Sequence, residues 1–310
     1  MDMDMDSGEA VSAHIRELAQ RVTLVENAGA GSAELLGSML TPTAHIVGLT
    51  GPPGVGKSTS TSALISQFRA NGESVAVLAV DPSSTFSKGA LLGDRIRMQE
   101  HARDPGVFIR SLATRGHLGG LSESIYSVLK VISAAGFDVI IIETVGVGQS
   151  EIEIAKMADT SIVMAAPGAG DGIQAAKAGI LEIADIFAVN KADRPGVDST
   201  MRELRAMLAM AANEPGWIPP VIPTIAIDGS GFTELAQAIS EHYAYLIDNG
   251  LLELKRIGRI RESLLARVIN RLAQQAIAVE ASEELAARCA LGDLSEDEAC
   301  DLIRYGIDAP

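Results

Sequence analysis

Cysteine is nearly missing from the 310 residues: there are two, Cys289 and Cys300, both in a polar C-terminal stretch. They match no CxxC or Cys/His metal spacing, and a reducing cytoplasm is the expected setting. Long apolar runs are missing as well. None approaches the roughly 20 residues that span a bilayer, so no membrane partner is expected. The opening MDMDMDSGEA is acidic and has no apolar centre, unlike a signal peptide or an Arg-rich transit peptide, and is expected to be a mobile tail. Basic residues are in deficit, with 25 Lys and Arg against 40 Asp and Glu and a formal net charge of −15. That balance argues against nucleic acid as a partner, because affinity for a phosphate backbone rests on clustered Lys and Arg. A small phosphorylated ligand needs only a local site and stays open. No repeat of fixed period is visible.

What is present fits a soluble globular chain, 47% apolar and 21% charged, long enough for one large α/β domain with an appendage. Residues 10–40 carry Ile15, Leu18, Val22 and Val25 at helical spacing, interrupted by NAGAGS. From residue 45 the pattern changes to short β-branched runs separated by helical stretches. The runs are HIVGLT, SVAVLAV, VFIR, FDVIIIE, SIVMAA, IFAVNK and VIPTIAI, the last expected to run as a strand to Ile227. Such alternation predicts a mainly parallel sheet with helices on both faces, and the near-continuous apolar strands fit burial on both sides. After residue 250 strands cease, and Ile257, Ile260, Leu264, Val268 and Leu272 form a helical apolar stripe. The stripe suits either packing on its own domain or an arm that meets a second subunit. The expected organisation is an N-terminal tail and helical extension over 1–40, an α/β domain over 41–250 and a helical C-terminal arm over 251–310.

GPPGVGKST at 51–59 matches GxxxxGK[ST] between a strand pattern and a helix pattern. Gly51, Pro52, Pro53, Gly54, Val55 and Gly56 form a loop whose N–H groups can turn inward around an anion, and the following helix N-terminus adds favourable potential. Lys57 can reach terminal phosphates, Ser58 can hold Mg²⁺, and Thr59 continues the helix start. NKAD at 190–193 closes a later strand. There Asp193 can accept from N1–H and the 2-amino group of guanine, Asn190 can bond N7, and the stem of Lys191 can lie along the base. Adenine would leave the carboxylate unpaired, so GTP and GDP are expected rather than ATP. The segment before DGSG offers a backbone contact to the base oxygen through Ala226 or Ile227.

Acids stand at the carboxyl ends of strands, where an open parallel sheet gathers its ligands. Asp81 and Glu143 occupy such ends, and Asp94 lies in a loop between. Helix caps or solvated strand ends would explain them too. Beside a P-loop, a metal or water-positioning role is the expectation. Arg95, Arg97, Arg110 and Arg115 could include a phosphate contact, though each read singly is solvated charge. Asp171 and Lys177, in the glycine-rich loop APGAGDGIQAAKAG at 166–179, stand near the expected nucleotide edge. Lys57, Asp81 and Lys177 are the candidate catalytic set.

The ordered series GPPGVGKST, AVDPSS, LLGDRIRM, IIETVGVGQSE, PGAGDGIQAAKAGILEIAD and NKAD resembles the MeaB/ArgK family, over about residues 45–250. These GTPases escort adenosylcobalamin-dependent acyl-CoA mutases such as methylmalonyl-CoA mutase. The resemblance implies a metallochaperone-type P-loop GTPase in which Asp81, Asp94 and Glu143 surround Mg²⁺ and Ser58 is a direct ligand. It also implies a switch beginning at Gly146, a second one over 168–179 facing the mutase, and a homodimer joined through C-terminal helices. Hydrolysis would gate loading of intact cofactor and removal of damaged cofactor. Departures are His117 within RGHLGG, to which no role is given, and AIDGSG, which lacks a serine often found in the base loop. The family's older label, an ATPase of amino-acid transport, sits badly with NKAD. Two other readings stand beside this one: a metal-insertion GTPase, and a nucleotide-dependent binding module with negligible turnover. The first usually carries a His-rich tract, whereas here five histidines are scattered. Gln149 comes three residues after Gly146 rather than directly after it, so slow intrinsic hydrolysis, quickened by a partner, is expected.

Overall fold

The computed structural model describes residues 3–27, 31–38, 43–81, 98–101, 103–113, 120–144, 155–168, 183–211, 216–278 and 282–308. Seven strands form one sheet: β1 (His45–Thr50), β2 (Val75–Asp81), β3 (Val107–Ala113), β4 (Val139–Thr144), β5 (Thr160–Ala165), β6 (Ile186–Asn190) and β7 (Val221–Thr224). Their order is β3-β2-β4-β1-β5-β6-β7, and every pairing is parallel. With all strands aligned, their carboxyl ends share one edge of the sheet. Strand β1 lies between β4 and β5, so the P-loop that follows it opens at the middle of that edge.

The strand period decides which helix each side chain meets. Val47, Leu49, Val75, Val77 and Ile141 face α3 (Lys57–Ala70) and α6 (Phe232–Asp248), burying Leu64, Ile65, Phe68, Phe232, Leu235 and Ile239. Ile46, Leu78, Val80, Ile140 and Ile142 point the other way. They meet Leu18, Val22 and Val25 of α1 (Met3–Glu26) and Ile125, Leu129 and Ile132 of α4 (Gly120–Ala134). On that face beyond β1, Val163, Phe187 and Val189 pack with Met201 and Leu204 of α5 (Val197–Ala211). The short α2 (Ser32–Gly37) follows α1. Three helices close the chain: α7 (Leu251–Ala278), α8 (Ser282–Leu291) and α9 (Glu296–Asp308).

Three expectations change. Helix α1 starts at Met3, so the segment read from the sequence as a tail is helical from that residue on. Extending a helix costs little once packed turns have nucleated it. Strand β7 stops at Thr224 instead of reaching Ile227. A turn replaces it, because Ile225 pairs antiparallel with Ser230, Gly229 N donates to Ile225 O at 3.0 Å, and Asp228 Oδ1 accepts from Ser230 N at 2.9 Å. Arg110 is not simply solvated: it bonds Glu26 at 2.7 Å and Thr23 at 3.0 Å, fastening α1 to β3.

Candidate functional site

The loop from Gly51 to Gly56 runs from β1 into α3 and bends where side chains are not tolerated. Gly51 has φ 143°, and a Cβ there would meet Met164 O at 2.5 Å. Gly56 caps α3 in the left-handed region at φ 100°, and a Cβ would strike the amide of Asn190. Lys57, buried, lies back over this loop with Nζ donating to Gly51 O at 2.6 Å and Pro52 O at 3.1 Å. Its ammonium is therefore held at the mouth that the glycines shape.

Asn190 and Lys191 reach the same loop from β6. Asn190 is buried; its Nδ2 donates to Val55 O at 2.7 Å and its Oδ1 accepts from Ala226 N at 3.0 Å. One side chain thus joins the phosphate loop to the turn after β7. It keeps a second amide hydrogen for a base. Lys191 takes φ 60° and donates to Gly54 O at 2.6 Å, laying its stem across the site. Asp193 is exposed and carries no competing bond among the described residues. The Ala226 N–H is engaged by Asn190, which leaves Ile227, exposed at 92%, as the next N–H along the turn.

On the other side of the loop, Glu143 is buried at the end of β4, and β4 lies beside β1 with Leu49 opposite Glu143. Ser58 Oγ donates to Glu143 Oε1 at 2.6 Å, and Thr61 Oγ1 donates to Oε2 at 2.8 Å. Asp81 is the last residue of β2, and the preceding Val80 pairs with Thr144, so the ends of β2 and β4 are neighbours. Further along α3, Ser62 bonds Glu100 and, at 2.9 Å, His101 Nε2. Asp94, Arg95, Arg97, Arg115, His117, Gly146, Gln149, Asp171 and Lys177 lie outside the described residues. Sequence reasoning missed Thr61 and Ser62. Their one signal was the hydroxyl run STSTS in a helix, where such residues are weak formers.

A sequence model of the family described as methylmalonyl Co-A mutase-associated GTPase MeaB matches residues 18–281. The chain belongs to the MeaB family. A putative GTPase of Pyrococcus horikoshii is 48% identical over 297 residues, covering 93% of each chain. GTPase ArgK of Escherichia coli is 37% identical over 270 residues, 82% of this chain and 81% of its own. Among solved structures, a LAO/AO transport system kinase superposes with a TM-score of 0.69 at 27% identity, covering 97% of this chain and 98% of that one. This MeaB-family chain is therefore a P-loop GTPase, with Lys57 and Asn190 bonded to its P-loop and Ser58 bonded to Glu143.

Proposed function

We propose that this GTPase gates the loading of adenosylcobalamin into, and its protection within, an acyl-CoA mutase of the methylmalonyl-CoA mutase type. The observation that carries the nucleotide half is the bonding of the P-loop to its neighbours on both sides. Asn190 ties it to the base-side turn and Ser58 ties it to the acid of β4. The family's printed association with methylmalonyl-CoA mutase supports the partner half. In this reading the loop N–H groups of 51–56 and Lys57 cradle the phosphates, and Asp193 and Asn190 read guanine. The Ile227 N–H meets the base oxygen, Ala226 having given its own to Asn190.

Mg²⁺ fits the residues present. Ser58 and Glu143 bring hard oxygen donors into a buried position, and Mg²⁺ is held by few protein ligands while keeping several waters. Ser58, Asp81, Asp94 and Glu143 would hold it. When bound, the ion neutralises charge on the phosphate oxygens. An ionised carboxylate only accepts, so the Ser58 proton points to Glu143 and its oxygen lone pairs remain for the metal side. Glu143, with each oxygen already accepting a hydroxyl, would face the ion from the end of β4. Asp81 and Lys177 complete the site from their strand end and glycine-rich loop. Intrinsic hydrolysis is slow, and the partner completes the site.

The chain is read as a cytoplasmic homodimer joined through its C-terminal helices. Ile257, Leu264, Val268 and Leu272 on α7 are each at least half exposed, a stripe that a second copy would cover. No helix among the described residues is long and apolar enough to cross a membrane. Affinity capture of the tagged full chain from native extract, with GDP or a non-hydrolysable GTP analogue present, tests the partner. Recovery of an acyl-CoA mutase in a nucleotide-dependent manner is the expected result. Recovery of a nickel enzyme instead would support the metal-insertion reading.

A further inference from the structure

Several helical hydroxyls in this protein bond back to their own helix. Thr23 Oγ1 donates to Ala19 O, Ser66 Oγ to Ser62 O and Ser240 Oγ to Ala236 O, each four residues earlier. That is the ordinary outcome for Ser or Thr inside a helix. Thr61 does otherwise. Fully buried, it reaches across to β4 and donates to Glu143 Oε2 at 2.8 Å. Ser58, three residues earlier and on the same face of α3, donates to the other oxygen at 2.6 Å.

We infer that Thr61 is a positioning residue for the metal side of the site, fixing the plane of the Glu143 carboxylate through its second oxygen. The terminal torsion of a glutamate is broad and roughly two-fold, so a single hydroxyl would leave that plane loosely set. Two donors on separate oxygens remove this freedom. They also account for glutamate at a strand end where aspartate would otherwise serve. Aspartate is shorter by one methylene, and from the same Cα its carboxylate withdraws toward β4 and gives up the Thr61 contact. Glutamate therefore brings one oxygen to Ser58 while Thr61 holds the other. Groups that orient a ligand from behind commonly change metal affinity by about 10–100-fold when removed. The inference rests on the reading of Glu143 as a metal-side residue, and the test separates the two.

Release of a fluorescent GDP analogue from the full chain is followed across a Mg²⁺ titration for wild type, Thr61→Val, Thr61→Ser, Glu143→Asp, Glu143→Gln and the Thr61→Val/Glu143→Asp pair. Thermal melting without nucleotide or Mg²⁺ accompanies each variant. The Mg²⁺ concentration that half-maximally slows release should rise roughly tenfold in Thr61→Val. It should return to the wild-type value in Thr61→Ser, which keeps the hydroxyl. The pair should be no worse than Glu143→Asp alone, since both changes delete one contact. A wild-type midpoint in Thr61→Val beside a shifted midpoint in Glu143→Gln overturns the role of Thr61 and leaves Glu143 at the metal. A wild-type midpoint in Glu143→Gln overturns both. If Thr61→Val fails to fold, Thr61→Ala takes its place: a raised midpoint there beside a wild-type one in Thr61→Ser supports the inference, and a wild-type midpoint in Thr61→Ala overturns it.

Discussion

In the proposed site one exposed side chain, Asp193, sets nucleotide choice while the buried residues around it set geometry. Asn190 gives one amide hydrogen to Val55 O and accepts from Ala226 N, and Lys191 donates to Gly54 O. Asp193 makes no such commitment among the described residues, so its carboxylate is available for the two donors of guanine. Asp193→Asn should lower GDP affinity by at least tenfold and raise affinity for xanthosine diphosphate, which offers an acceptor where guanine has its amino group. Equilibrium titration with both nucleotides reads this, and unchanged GDP affinity would remove Asp193 from the base site. The NKAD motif made these residues legible in the sequence. The role of Ala226 was not legible, because it depends on which backbone N–H the buried amide of Asn190 happens to reach.

At the scale of elements, the first turns of α7 clasp the amino ends of three strands. Arg256 donates to Ala44 O at 3.2 Å, just before β1. Arg259 pairs with Asp159, just before β5, and Lys255 pairs with Asp185, just before β6, at 3.2 Å. Asp159 and Arg259 are both buried. Burial pushes the Asp159 carboxyl up, but Arg259, the Ile46 N–H and Arg256 outweigh it and hold the group below its usual range. Arg259→Met should therefore cost about 3 kcal/mol in urea unfolding, because it strands a buried carboxylate. Adding Asp159→Asn should recover part of that loss. The sheet itself was readable as β-branched runs, and the P-loop helix as a motif. This clasp was not, since its aspartates and its cations are far apart in the chain and look like ordinary solvated charge on either side. Strand β7 was overextended for a related reason: the apolar run TIAI continues past the point where the turn through Asp228 and Gly229 ends the pairing.

Across the whole molecule, the nucleotide edge and the clasp lie at opposite ends of the same strands. Under the clasp, Thr160 Oγ1 lies 2.8 Å from both His45 Nε2 and His242 Nδ1, and His242 Nε2 lies 3.2 Å from Asp185 Oδ1. His45 also stacks on Tyr243 with centroids 3.9 Å apart. Burial lowers the His45 pKa from 6.5 to about 4, only partly offset by Asp159. With the folded value depressed, the unfolded chain binds the proton more readily between those limits. Stability should thus fall as pH drops from 6.5 toward about 4, by up to about 1.4 kcal/mol per pH unit. The Asp159 and Asp185 carboxylates, both lowered from 3.8, lose their contribution only at more acid pH. Urea unfolding between pH 7 and 4.5 should show this slope, and His45→Gln should flatten it.

The one tryptophan has a bearing on how such a molecule can be watched. Trp217 donates its indole N–H to Asp185 O at 2.7 Å and lies 4.9 Å from the ring of His242. It therefore stands at the start of β6, whereas Asn190 closes the same strand. Tryptophan emission in this protein is a gauge of that end of the sheet, away from the proposed nucleotide edge. Any change in emission on adding GDP would be a signal that had travelled the length of a strand.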